Sequence, residues 1–165
     1  MTRRSVLLTG VSLAAVGAAG GCFAVLPEPA VGARILSAHE AEIIEGLARV
    51  MFPPGYFSVH GGDGKTAPML DAILADMVEA PAARGVRYLL RAIELGTLIS
   101  RGVRFTALPI DEQAEVVDIW FSENPAPRRM ASDSFKALIG MAFLRRPEVV
   151  QDIGWRRGCI DVGGV

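Results

Sequence analysis

The chain has 165 residues, enough for one domain with a single core and a short appended segment. Its 17 basic and 18 acidic residues leave a formal charge of −1, so no overall field of either sign draws in nucleic acid or anionic lipid, and nucleic-acid binding has no support. Two cysteines, Cys22 and Cys159, are too few to staple a scaffold, which excludes the disulfide-rich secreted class.

The first element is a leader. Hydrophobic residues make up 51% of the chain and the mean hydropathy is +0.35, and part of that excess lies in the first 33 residues, whose only charges are Arg3, Arg4 and Glu28. Arg3 and Arg4 stand directly before an uncharged run from Ser5 to Pro27. A charged start stays on the cytoplasmic side while the apolar run enters the bilayer, so this order of residues predicts an export signal over residues 1–33. The adjacent arginines resemble the twin-arginine motif, whose translocase carries cargo that is already folded. Val6 and Leu8 depart from the Phe and Lys frequent in that motif. Gly10, Gly17, Gly20 and Gly21 keep the run only mildly apolar, which favours a signal over a permanent transmembrane helix. Two ends are open to it: Ala19-Gly20-Gly21-Cys22 looks like a weak lipobox with Cys22 as the lipidated residue, and Val31-Gly32-Ala33 offers small-residue cleavage.

Residues 34–157 read as one helical domain. Ser37 followed by Glu40 is a capping box, with Leu36 as a hydrophobic staple, and Ile44, Leu47, Ala48 and Met51 form one apolar stripe. Phe52-Pro53-Pro54-Gly55 stops this first helix, because proline lacks the amide and clashes with the preceding turn. A loop through His60-Gly61-Gly62-Asp63-Gly64 follows, where no regular element persists. A second helix is predicted from Thr66 to Val78, and a third begins near Pro81 and closes at Gly102. Pro109 opens a fourth, with Asp111 and Glu112 in its first turn and a stripe of Gln113, Val116, Val117, Trp120 and Phe121. Asn124-Pro125-Ala126-Pro127 is expected to break the chain before a fifth helix carrying Phe135, Leu138, Ile139, Ala142 and Phe143, and Pro147 to Asp152 is a short further one. Residues 158–165 are a glycine-rich tail. No alternating strand pattern or hairpin signal stands out, so the expected fold is an all-α bundle of about five helices.

The residues that carry chemistry are few. There is no Cys-x-x-Cys, no His-Glu-x-x-His and no Gly-x-Gly-x-x-Gly after a strand, so neither a metal nor a dinucleotide is expected on this chain. His39 reads as a solvated or capping residue in the first turn of its helix, and His60 with Asp63 supplies two ligands where a metal site needs more. Arg128-Arg129, Arg145-Arg146 and Arg156-Arg157 read first as solvent-facing complements to helix ends, and alternatively as a partner surface. Phe52, Pro53, Pro54, Tyr56 and Phe57 crowd large apolar groups into one turn, more than a small domain buries, and so form a candidate interaction surface with Arg128, Arg129, Arg145 and Arg146.

The order of these segments resembles the gluconate 2-dehydrogenase subunit 3 family. The resemblance runs from about Ile35 to Trp155 and is carried by Leu36-Ser37-Ala38-His39-Glu40, by Leu47 to Pro54, by Phe105 to Gln113, by Phe135 to Phe143, and by Arg146-Pro147-Glu148-Val149 with Ile153-Gly154-Trp155. Residues 68–104 match only as helices. The resemblance implies a non-catalytic small subunit without a cofactor of its own. Its partner would be a large FAD-dependent oxidoreductase of the glucose-methanol-choline type, in some systems with a multihaem cytochrome c, at the periplasmic face of a bacterial inner membrane. Two other readings stand beside it: a helical envelope lipoprotein or binding module unrelated to a dehydrogenase, and an enzyme using His60 and Asp63.

Overall fold

Ser37 has extended backbone, accepts from the Glu40 amide at 3.3 Å, and donates its own amide to Glu40 Oε2 at 2.8 Å, so the capping box forms as its spacing predicts. The helix it starts is α1, Ala38–Met51. The computed structural model describes residues 26–122 and 126–154, with the side chains of 126–128, 130 and 131 outside the description. Along this stretch follow α2 (Thr66–Met77), α3 (Ala80–Arg101), a 3₁₀ turn (Phe105–Ala107), α4 (Ile110–Phe121), α5 (Ala126–Leu144) and α6 (Pro147–Asp152). Among the described residues there is no strand, and no helix is long and apolar enough to cross a membrane. The protein is all-α.

The central element is α1. Ile43, Ile44, Leu47 and Ala48 are fully buried, and the helix touches every other long element, with α3, α2, α5, α4 and the 3₁₀ turn closing a ring around it. One helix can be covered on all sides only if its partners bring matching apolar faces. They do: Leu70, Ile73 and Leu74 from α2, Val86, Leu90 and Ile93 from α3, Val116 and Val117 from α4, and Phe135, Ile139 and Ala142 from α5 join one core.

The connections are shaped by what they must satisfy. Lys65 gives α2 no side-chain cap, and the carboxylate of Glu45, in the middle of α1, takes that role by accepting from the Gly64 amide at 3.1 Å and the Ala67 amide at 2.7 Å. The glycine-rich loop is pinned against α1. The Gly61 amide donates to the Phe52 carbonyl at 2.9 Å, and a Cβ at Gly61 would stand 2.0 Å from the Ala48 carbonyl oxygen, so only glycine lets the loop approach this closely. α3 closes at Gly102 in the left-handed conformation, as predicted. Phe105 then plugs the core, and Gln113 at the start of α4 donates to the Phe105 carbonyl at 3.0 Å.

The expected break before the fifth helix is present, since α4 ends at Phe121, and α5 begins inside the run Asn124 to Pro127, at Ala126 with Pro127 in its first turn. A first-turn amide has no intrahelical acceptor, so proline costs nothing there and its fixed φ suits the helix.

Candidate functional site

Arg3, Arg4 and Cys22 lie outside the described residues, as do Trp155, Arg156, Arg157 and Cys159. Of the candidate interface residues, all but Arg128 and Arg129, which lie at the start of α5, gather where the end of α5 meets the loop after α1. Phe143 is sandwiched there: Phe52 stacks on it with ring centroids 4.2 Å apart and 11° between planes, and Phe57 meets it edge-on at 5.5 Å. The aromatic turn is therefore split. Phe52 and Phe57 are partly buried against Phe143, which leaves them little to offer as interface residues, while Pro53, Pro54 and Tyr56 remain exposed, Tyr56 at 81%.

Arg146 corrects the reading of the arginine doublets most sharply. Its side chain is 2% exposed and forks onto Asp63, with Nη1 and Nη2 at 2.9 and 2.7 Å from the two carboxylate oxygens, and Nη1 also donates to the His60 carbonyl at 3.2 Å. It can belong neither to an outer partner surface nor to a solvated helix end. The reason lies in the loop: Asp63 presents a fixed carboxylate on the inner side of the pinned glycine run, and a planar guanidinium matches it in two places at once. The Arg146 guanidinium carbon also sits 5.5 Å from the Phe143 ring centre, so the aromatic stack and the ion pair share one wall. Partial burial works to raise the Asp63 carboxyl, and the bond from Arg146 with the Lys65 amide outweighs it, holding the pKa below its ordinary value.

Arg145, by contrast, is exposed and reaches across to α2, with Nη1 3.3 Å from the Met77 sulfur. Met77 is 63% exposed, and Met141 and Leu144, one turn and one residue before Arg145 on α5, are exposed as well. Together they make an apolar seam with a cationic end along the α2–α5 junction. Arg129 is exposed on the same helix, and Arg128 lies in its first turn with its side chain outside the description.

His39 is not simply solvated. Its Nδ1 is 3.2 Å from Glu42 and its Nε2 3.0 Å from Glu94, which also accepts from the amide and hydroxyl of Thr106. His60 is half-buried, and its Nδ1 has no hydrogen-bond partner. Among the described residues no group of three or more His, Cys, Asp or Glu is placed to hold a metal ion.

Four polar contacts escaped sequence reasoning because each joins residues far apart in the chain. Besides Asp63–Arg146 and Glu94–Thr106, Arg87 on α3 lays its Nε 2.9 and 3.0 Å from the Glu40 carboxylate, both side chains being nearly inaccessible. Asp71 on α2 accepts from three consecutive amides, Arg34, Ile35 and Leu36, at 2.8, 2.9 and 2.8 Å. Burial works to raise its carboxyl, and those amides with the Arg34 charge hold it below the ordinary value instead. A polar residue on an otherwise apolar helix face, such as Asp71 between Leu70 and Ile73, was the only local signal.

No protein-family model, curated protein or solved structure matches the chain. Fold and surface define a small all-α domain whose buried charges lock its own elements together. Its outward chemistry is an apolar seam beside arginine.

Proposed function

We propose that the chain is a non-catalytic small subunit that docks onto a large FAD-dependent sugar or alcohol dehydrogenase of the glucose-methanol-choline type and carries, in Arg3-Arg4, the twin-arginine address that exports both. The flavin and the substrate belong to the large subunit, and a multihaem cytochrome c is a natural acceptor for the electrons at the periplasmic face. A flavoprotein that folds around its cofactor in the cytoplasm needs a route for folded cargo, and a bound companion with the address supplies one.

The observation that carries this reading is the order of the family-like segments behind a paired-arginine leader. Support comes from where those segments fall in the fold: the capping box of α1, the Phe52–Pro54 stop, the 3₁₀ turn leading into α4, and Arg146 with Pro147 at the start of α6. The seam of Met77, Met141, Leu144 and Arg145, with exposed Pro53, Pro54 and Tyr56 as further candidates, suits a protein partner, since exposed apolar groups beside arginine are characteristic of interface centres.

Co-purification from the native host followed by mass spectrometry is the test. A stoichiometric flavoprotein is expected. Changing Arg3 and Arg4 together to Lys should then leave both proteins in the cytoplasm, and continued export of the large one would refute the shared address.

A further inference from the structure

The segment ahead of α1 is held very unevenly on the two sides of the Ala33–Arg34 bond. Downstream, Asp71 takes the amides of Arg34, Ile35 and Leu36, the Arg34 guanidinium reaches Asp76, and Leu36 is buried in the core. Upstream, residues 30–33 form a turn closed by the Ala33 amide on the Ala30 carbonyl at 2.9 Å, with Gly32 at φ +85° and Val31 fully exposed. The turn borders a cavity of about 280 Å³ that Leu36, Ala67 and Asp71 also line, and it leaves Val31 and Gly32 exposed with Ala30 and Ala33 half-buried. Glu28 and Pro29 are exposed, and what ties residues 26–33 down is the Pro27 carbonyl on Arg87 and the Ala30 amide on the Leu36 carbonyl.

We propose that the Ala33–Arg34 bond is the processing site of this chain, cut by a membrane-bound leader peptidase, and that the new α-ammonium of Arg34 closes an ion pair with Asp71. Such peptidases read small side chains at the first and third positions before the bond, here Ala33 and Val31. A cargo delivered already folded must offer its cut on an exposed turn, and the 30–33 turn is one. Hydrolysis consumes one water: residues 1–33 leave with a carboxylate on Ala33, and the Arg34 nitrogen becomes an ammonium. That nitrogen already lies 2.8 Å from Asp71 Oδ2, so the cut changes its charge and not its place. The bond from an uncharged amide to the Asp71 carboxylate becomes one between two full opposite charges, which adds a direct Coulomb attraction to it. The loss on the other side is contained, because Arg87 keeps Glu40 when the Pro27 carbonyl departs. The inference rests on residues 1–33 being an export leader and is independent of the dehydrogenase partner.

The test is intact mass and N-terminal sequencing of the full chain expressed in its native host and fractionated. An exported polypeptide beginning at Arg34 is expected. An exported form beginning elsewhere, at an acylated Cys22 for instance, overturns the site and leaves the export reading standing; a full-length chain confined to the cytoplasm overturns both. Val31→Asp, at a solvent-facing position, should abolish the Arg34 terminus and leave uncut precursor in the exported fraction, and normal processing of this variant counts against the site. For the ion pair, Asp71→Asn should lower the melting temperature of the cut protein about 4 °C more than that of the uncut Val31→Asp protein. Equal drops overturn the pairing. Independently, the Arg34 α-amine of folded, cut protein should resist acetylation that labels it in urea; equal labelling overturns the pairing as well.

Discussion

Arg146 shows what a buried charge demands of its neighbours. Its side chain is 2% exposed against 20% for Asp63, so the two ends of the pair are not equivalent. Asp63→Ala strands a cation in the interior, and we expect it to cost about 3–5 kcal/mol, whereas Arg146→Met fills the same space with an apolar chain and should cost distinctly less. Urea unfolding of the two variants measures the difference; equal costs would mean that Arg146 is hydrated. The same carboxylates set the acid limb of stability. Asp63 and Asp71 both have folded pKa values below the unfolded 3.8, so their contribution is complete above that value and is lost as pH falls through the lower folded values. Stability should accordingly decline on acidification below about pH 4, and Asp63→Asn or Asp71→Asn should each reduce the slope of urea midpoint against pH.

At the scale of elements, the loop after α1 is as much a part of the core wall as the helices are. Gly61 lies against the Ala48 backbone, where a methyl group has no room, and the carbonyl it would strike belongs to the most buried helix. Gly61→Ala is expected to lift the loop and cost about 3 kcal/mol by thermal or urea melting, the upper range for overpacking. Glu45→Ala removes the cap that α1 lends to α2 and should cost about 1–2 kcal/mol, with amide exchange quickening first at Gly64 and Ala67. Ser58 adds a second tether, its amide and hydroxyl both 2.7 Å from Asp152 at the end of α6, so the loop joins α1 to the last described helix. A loop fixed at Phe52, Ser58, Gly61 and Asp63 offers Pro53, Pro54 and Tyr56 as a rigid protrusion. Rigid protrusions lose little entropy on docking.

For the whole molecule, the division between locked interior and available surface leads to the docking prediction. Leu144→Glu places a charge in the middle of the Met77–Met141–Arg145 seam, where the side chain is already exposed. It should change folding stability by no more than about 0.5 kcal/mol, yet reduce co-purification of the proposed flavoprotein partner at least about tenfold, since interface centres tolerate unpaired charge poorly. Retained co-purification would move the docking surface elsewhere, with the exposed Leu98, Ile99 and Val103 around the end of α3 as the next place to look.

Helix positions, the capping box of α1, the proline stops and the all-α class were all written locally, because caps and 3.6-residue stripes involve neighbours within a turn or two. The sequence by itself also determined the charge balance, the scarcity of reactive side chains and the paired arginines Arg3 and Arg4. It did not determine which polar residues meet. Glu40 with Arg87, Asp63 with Arg146 and the three amides on Asp71 are joined across 47, 83 and 35–37 residues of chain, and no local pattern encodes such a distance. Only the packing of four helices around α1 decided that Arg146 points inward while Arg145 points out, since the two stand side by side in the turn between α5 and α6, Arg146 with extended backbone ahead of Pro147, and nothing in their composition separates them.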